Sequence, residues 1–228
     1  IISLYVDGKR HVLEPSESIL ASANQALSAL ERYKARLDQT SAGLDSLEIE
    51  DLVTVRDVTS VLQLMEMVRR ISADIDSYVL ELGTDGRLLA LQVEELTRGL
   101  LAEHGFLLED YLPEGLDTTT VDARLKWVGS PALLDLAMVA RSMGLGGIDG
   151  QDLDAQVSPR GLRILSKIPR LPVVTARAVV EQWGSLQGVL GATIEELEAV
   201  EGVGAQRART LRDGLSRLAE ISVVERYS

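Results

Sequence analysis

The sequence of 228 residues predicts a mainly α-helical protein. Apolar residues recur at helical spacing through most of the chain, as in the run Val61, Leu64, Met65 and Val68. Leu, Ala and Val are abundant whereas aromatic residues make up only 4%, a composition that favours helices packed on helices. We predict three parts: the C-terminal end of an α/β domain over 1–38, an all-helical spine over 39–150, and a further helical domain over 151–228.

The N-terminal part predicts two strands and one helix. Residues 1–6 and 10–13 favour strands, and Asp7-Gly8 between them is a strong hairpin turn. Apolar residues at helical spacing predict a helix over 19–37. Two strands and one helix are too little for a domain. Since the chain also starts without Met inside a strand-like run, we expect the body of this domain to lie upstream.

The middle of the chain predicts a bundle or spine of helices. Residues 39–43, with the sequence QTSAG, predict a polar break. The predicted helices are one or two over 47–82, one over 88–101 that ends near Gly105, one over 118–127, and one from Ser130-Pro131 to about Met143.

Glycine and aspartate mark a boundary over 144–157. Asp149, Asp152 and Asp154 suggest calcium, but their spacing lacks the glycine and the terminal glutamate of an EF-hand loop. His11 and His104 are the only histidines and are far apart in the sequence, so we assign neither a metal nor a catalytic role. A P-loop, a dinucleotide-binding glycine fingerprint and a nucleophile elbow are all absent from the sequence.

Composition limits the cellular setting and the partners. The chain has no cysteine and no apolar run of the roughly 18 residues that a membrane span needs, so we expect a cytoplasmic protein without membrane contact. The net charge is −12, which argues against nucleic acid. However, residues 158–228 carry ten Lys/Arg and eight Asp/Glu, so this end of the chain permits contacts with phosphate.

The C-terminal domain contains a glycine turn that runs into a helix. Residues 200–204 have the sequence VEGVG, and a helical pattern follows to about Leu218. Gly202 and Gly204 permit backbone conformations that a Cβ resists and leave the start of the helix open. A helix N-terminus presents unpaired N–H groups and partial positive charge, which suit a phosphate. The pattern is typical of a helix-hairpin-helix, a binder of nucleic-acid backbone.

A second copy of this pattern lies 32 residues earlier. Ser158-Pro159 predicts the start of a helix that covers 160–167. The sequence IPRLP at 168–172 is the first predicted hairpin, and a helix is predicted after it over 174–183. Thr193 then caps a short helix before the second hairpin. The repeat predicts a tandem helix-hairpin-helix domain. In the first hairpin, Arg170 and Pro172 stand where glycines are expected, and Pro172 has no N–H to donate, so we expect the second hairpin to dominate.

These considerations predict a DNA-binding module that contacts the backbone without reading bases. An adaptor that uses the same hairpins to bind protein is the alternative. No catalytic or metal-binding residue is assigned. The predicted DNA-binding residues are Gly202, Val203, Gly204, Ala205, Arg207, Arg209, Arg212, Lys167, Arg170 and Arg177.

The chain as a whole resembles the DisA family of bacterial DNA integrity scanning proteins and diadenylate cyclases. The resemblance is carried by LYVDG at 4–8, by the helix over 19–34, by the helical spine, and by VEGVG with Arg207 and Arg209. It implies an N-terminal cyclase domain that joins two ATP into cyclic di-AMP with Mg²⁺ or Mn²⁺. It also implies a homo-octamer and a C-terminal domain that binds branched DNA in a DNA-damage checkpoint. The resemblance is also consistent with a nucleoid-associated protein that contacts recombination or repair proteins.

The sequence departs from this family in its cyclase motifs. The Asp-Gly-Ala and Arg-His-Arg-Thr motifs of the family are absent. The segments DGK at 7–9 and RHV at 10–12 look similar but match the exit of the cyclase domain. We therefore expect this chain to need no cofactor and to make no cyclic di-AMP by itself.

Overall fold

The computed structural model describes residues 2–6, 9–13 and 15–226, with side chains over 17–220. Strands β1 (Ile2–Val6) and β2 (Lys9–Leu13) pair antiparallel, as the sequence predicts. The predicted turn at Asp7-Gly8 and the side chain of His11 lie outside the described residues. The assignment of this region to a cyclase domain remains a prediction.

Helices make up most of the remaining described structure, which confirms the predicted mainly α-helical class. They are α1 (Pro15–Glu50), α2 (Val55–Leu82), α3 (Arg87–Thr97), α4 (Leu100–Tyr111), α5 (Thr118–Trp127), α6 (Ser130–Leu133), α7 (Leu136–Met143), α8 (Leu162–Ser166), α9 (Val173–Trp183), α10 (Leu186–Gly191), α11 (Ile194–Glu198) and α12 (Ala205–Arg226). A 3₁₀ turn, Gly83–Gly86, joins α2 to α3. Within the described residues, no helix is both long enough and apolar enough to cross a membrane.

The predicted polar break over 39–43 is wrong, because α1 runs through it without interruption. Leu37 and Leu44 are both 2% exposed and lie seven residues apart, so they share one buried face of the helix. The chain leaves the helix at Asp51, whose φ of 57° is left-handed. The region 47–82 therefore contains the end of one helix and the whole of a second.

Three other helix ends differ from the prediction. The break expected near Gly105 lies at Gly99, which has a φ of 80° and separates α3 from α4. The helix expected from Ser130 to Met143 is two helices, because the Asp135 carboxylate accepts a hydrogen bond from the N–H of Ala137, 3.0 Å away, and caps α7. The helix expected from Ser158-Pro159 begins instead after Gly161.

The chain forms two compact units, residues 1–38 with 64–100, and residues 39–63 with 101–228. The predicted domain boundaries at 38/39 and 150/151 remain predictions. In the first unit, apolar side chains of α1, α2 and α3 are buried, among them Leu30, Val68 and Val93.

The second unit contains both the end of α1 with the start of α2 and the whole C-terminal region. Its C-terminal core is apolar and includes Ile164, Leu165, Val179, Leu197 and Leu211. The segment 144–157, which the sequence predicts as a boundary, is hydrogen-bonded to the start of α2. The N–H of Val55 donates to the carbonyl of Ala155 over 2.9 Å.

Candidate nucleic-acid interface

The C-terminal region is a tandem repeat, as the sequence predicts. Helices α8 and α11 match residue for residue at a shift of 32, and so do the first residues of α9 and α12, Val173 and Ala205. The Thr193 cap is also confirmed, since Thr193 and Glu196 form a reciprocal capping box at the start of α11.

The two hairpins share an equivalent backbone hydrogen bond. In the first hairpin, the N–H of Leu171 donates to the carbonyl of Ile168 over 3.3 Å. In the second hairpin, the N–H of Val203 donates to the carbonyl of Val200 over 2.9 Å. Leu171 and Val203 are buried, at 9% and 3% exposure, so each anchors its hairpin in the core.

The helix that follows each hairpin begins in the same way. The N–H of Ala176 donates to the carbonyl of Pro172 over 3.0 Å. The N–H of Ala208 likewise donates to the carbonyl of Gly204 over 3.0 Å. Ala176 and Ala208 are fully buried, which brings each helix close to the core. The two hairpins therefore share one geometry despite different loop residues.

The second hairpin presents an open helix N-terminus. The N–H groups of Gly204, Ala205 and Gln206 have no acceptor among the described residues. A Cβ built on Gly202 or Gly204 would meet no other atom within 4 Å. Three unpaired N–H groups at the positive end of the 22-residue helix α12 form an arrangement that suits an anion such as phosphate.

Two predicted arginines lie at this end of α12 with exposed side chains. Arg207 donates from Nη1 to the carbonyl of Gly202 over 2.6 Å, which holds its guanidinium at the hairpin. Arg209 is exposed and has no ion pair or hydrogen bond within the described part of the chain. Both therefore have donors available for a ligand.

A groove of about 630 Å³ lies between the first hairpin and α12. Lys167 and Arg170 line it on the hairpin side, and Arg207 and Arg217 line it on the helix side. Arg217 was not among the predicted residues, although it lines the same groove. It lies ten residues after Arg207 in α12 and therefore about 80° away around the helix, so helical spacing did not mark it.

Three other predicted residues already have partners within the protein. Arg177 forms a bidentate pair with Glu109, over 2.7 and 3.0 Å, and this hydrogen bonding raises the pKa of Arg177. Lys167 is paired with Asp45. Arg212 donates to the carbonyls at the end of α10, over 2.9 and 3.1 Å. A contact of Arg177, Lys167 or Arg212 with DNA remains a prediction. Glu109 and Asp45, the partners of Arg177 and Lys167, lie far from them in the sequence.

A buried ionic cluster centred on Arg163 joins the tandem repeat to the end of α1. The guanidinium of Arg163, at 2% exposure, bonds to both carboxylate oxygens of Glu48, over 2.6 and 3.1 Å. Asp45 Oδ1 is 2.6 Å from Nη2 of Arg163, a charge contact without hydrogen-bond alignment. Burial by itself lowers the pKa of Arg163, but the Glu48 and Asp45 carboxylates outweigh this and raise it.

The neighbouring α4 contributes two side chains to this buried region. The Tyr111 hydroxyl donates to Glu48 over 2.7 Å, and burial, with the Glu48 carboxylate, raises the pKa of Tyr111. Asp110 caps α8 by accepting from the N–H groups of Gly161, Leu162 and Arg163 over 2.7–2.9 Å. This cap explains why α8 begins where it does.

Burial raises the pKa of Asp110 to about 7. The three N–H donors favour the ionised carboxylate and lower the pKa, whereas the nearby Glu48 carboxylate raises it further. Loss of hydration outweighs the hydrogen bonds at this site. The cap is therefore a titratable contact between α4 and the first helix of the tandem repeat.

Two family models match separate parts of the chain. A model described as the DisA bacterial checkpoint controller linker region matches residues 13–151. A model described as a SAM-like helix-hairpin-helix tandem matches residues 162–217.

Curated relatives match along the whole chain. The DNA integrity scanning proteins DisA of Acidothermus cellulolyticus and Streptomyces coelicolor are 54% and 53% identical over 232 residues, which is 62% of the length of each. The protein of the same name from Kineococcus radiotolerans is 49% identical over 64% of its length. The chain thus spans less than two thirds of these relatives.

Proposed function

The chain belongs to the DisA family, and on that premise we propose that it binds the phosphate backbone of DNA through its second hairpin. The observation that carries this proposal is the set of three unpaired N–H groups at Gly204, Ala205 and Gln206, at the N-terminus of α12. In this proposal a phosphate accepts from these groups, and Arg207 and Arg209 neutralise its charge.

The kind of recognition follows from the chemistry of these groups. Backbone N–H groups and arginines that contact phosphate carry no direct information about base sequence. Binding would therefore be sequence-independent and would weaken as salt rises. This suits a scanning role, the role stated in the name of the relatives.

The first hairpin would make the weaker contact. Pro172 removes the N–H that Gly204 supplies in the second hairpin. Arg170 lines the groove between the hairpin and α12 and could contact a second phosphate. Two phosphate contacts at a fixed separation would favour a DNA form that presents both at once, and we propose branched DNA.

The test is the fluorescence anisotropy of a labelled four-way junction and of a matched duplex, titrated with the chain at several salt concentrations. We expect binding, with an affinity constant K that falls as the salt concentration rises. In Arg209→Gln the slope of log K against log salt concentration should be shallower by about one unit than in the unmodified chain. Arg56→Gln is the control, because Arg56 pairs with Asp154 and lies outside the tandem repeat. A lack of binding at low salt would contradict the proposal and favour the protein-binding adaptor.

We further propose that the longer protein joins two ATP into cyclic di-AMP with Mg²⁺ or Mn²⁺, and that it forms an octamer that can contact repair proteins. The support is the family membership alone. Within the described side chains, no three His, Asp or Glu are grouped so that they could hold a metal ion, so no step of this chemistry is assigned to them. Turnover of ATP by the longer protein, with this chain as the comparison, tests the proposal.

A further inference from the structure

An exposed tryptophan lies at the end of α5, outside the tandem repeat. Trp127 is 89% exposed, although tryptophan is among the residues that proteins usually cover. The only other tryptophan in the sequence, Trp183, packs against the C-terminal core. Nothing in the phosphate-binding proposal uses Trp127.

Trp127 forms one wall of a shallow groove of about 520 Å³ between α5 and α7. Its other lining residues are Arg124, Met138, Arg141 and Ser142. Trp127 and Met138 are the apolar side chains of this lining. The lining contains no carboxylate.

The two guanidinium groups are held in place at the rim of the groove. Arg124 donates to the carbonyl of Ser142 over 3.3 Å, and Arg141 donates to the carbonyl of Asp149 over 3.2 Å. Each guanidinium has five N–H donors, so donors remain for a ligand. Lys126 is also exposed in the last turn of α5. The groove thus combines apolar surface with fixed positive charge.

From this combination we infer that the groove binds an acidic protein segment that inserts one large apolar side chain beside Trp127. Tryptophan and arginine are the residues that most often carry the energy of protein–protein contacts, and methionine adapts to varied side chains. Carboxylates that flank the inserted side chain would pair with Arg124 and Arg141.

The charge around the groove disfavours nucleic acid as the occupant. Residues 1–157 contain twenty-seven Asp/Glu and thirteen Lys/Arg, and the exposed Asp122 and Asp135 lie close in sequence to the groove. A long polyanion would meet these carboxylates, whereas a short acidic segment would need to contact only the basic rim.

The test begins with random peptides displayed on phage and selected on the whole chain, with depletion on Trp127→Ala. We expect the selected peptides to share one Trp, Phe, Leu or Met flanked by Asp or Glu. A synthesised peptide of this kind should bind about tenfold or more weakly to Trp127→Ala, and more weakly also to Arg141→Gln. Leu88→Ala is the control, since Leu88 is 70% exposed on α3 in the other unit.

Fluorescence gives a direct readout of the same site. In Trp183→Phe, Trp127 is the only tryptophan, and its emission should shift to shorter wavelength when the peptide covers it. Selection that yields no acidic motif, or peptides that bind Trp127→Ala equally well, would overturn the inference. Quenching of Trp127 by single-stranded oligothymidylate, without an effect of the acidic peptide, would assign the groove to nucleic acid instead.

Discussion

Arg170 and Gly202 occupy equivalent positions in the two hairpins, and both have left-handed backbone, with φ values of 66° and 80°. The two hairpins therefore share one backbone geometry at a position where one has arginine and the other has glycine. A left-handed conformation costs a residue with a Cβ about 1–2 kcal/mol, and glycine avoids this cost.

Substitutions at these two positions should have different effects on stability. Gly202→Ala should lower the free energy of unfolding by about 1 kcal/mol, because alanine resists positive φ. Arg170→Gly should be neutral or raise it by up to about 1 kcal/mol, since relief of strain competes with the entropy of an added glycine. Urea unfolding measures both.

Gly43→Ala is the control for the effect of glycine alone. Gly43 lies within α1, and a Cβ there would meet nothing within 4 Å apart from the chain next to it and the backbone of its own helix, so alanine should stabilise the helix by about 1 kcal/mol. A loss of stability in Arg170→Gly that matched the loss in Gly202→Ala would contradict the strain argument.

Removal of the buried guanidinium should cost much more than removal of an exposed one. Arg163→Met should lower the free energy of unfolding by about 3–5 kcal/mol, because Glu48 would remain buried without a counter-charge. Arg56→Gln should cost less than about 1 kcal/mol, since its partner Asp154 is 84% exposed. Chemical unfolding of both variants makes the comparison.

A double variant separates charge from packing at the same site. Glu48→Leu with Arg163→Met should be more stable than Arg163→Met alone, because the unpaired carboxylate has been removed. If the double variant is less stable than the single one, the cluster stabilises the fold by a mechanism other than charge pairing.

The Asp110 cap should make stability depend on pH. The folded pKa of about 7 lies above the usual aspartate pKa of 3.8, so the folded state binds this proton more tightly. The contribution of Asp110 to the free energy of unfolding is fully present below about pH 4 and is lost as the pH rises to about 7. Over this range the free energy of unfolding should fall by at most about 1.4 kcal/mol per pH unit. Urea unfolding at several pH values should show this slope disappear in Asp110→Asn.

Asp117 provides a control of opposite sign. Its pKa is lowered by hydrogen bonds from Thr119 and Thr120, so its contribution is lost as pH falls through the folded pKa. Asp117→Asn should leave the slope between pH 4 and 7 in place. Persistence of that slope in Asp110→Asn would show that another group causes it.

The sequence predicted the features that depend on local spacing. The Thr193 cap and the helices predicted over 118–127 and 174–183 are set by residues close together in the chain, and the 32-residue repeat is visible as a repeated local pattern. The continuity of α1 was missed because Thr40, Ser41 and Gly43 have low helix propensity, whereas Leu37 and Leu44 keep that face buried.

The contacts that complete the site depend on residues far apart in the sequence. Asp110 sets the start of α8 from 51 residues away, and Glu109 pairs with Arg177 from 68 residues away. No local pattern marks such pairs. This is why arginines of similar appearance in the sequence differ in the structure: both are exposed, but Arg177 is paired with Glu109, whereas Arg209 has no ion pair among the described residues.

The most direct measurement compares junction binding by the unmodified chain and by Gly204→Pro. Proline already occupies the equivalent position 172 with φ −65°, so the substitution follows the geometry of the repeat while it removes one of the three N–H groups. We expect the affinity to fall by about tenfold or more. Pro172→Gly, which restores an N–H to the first hairpin, should raise it. Unchanged affinity in Gly204→Pro, with the fold intact by circular dichroism, would contradict phosphate binding at the second hairpin.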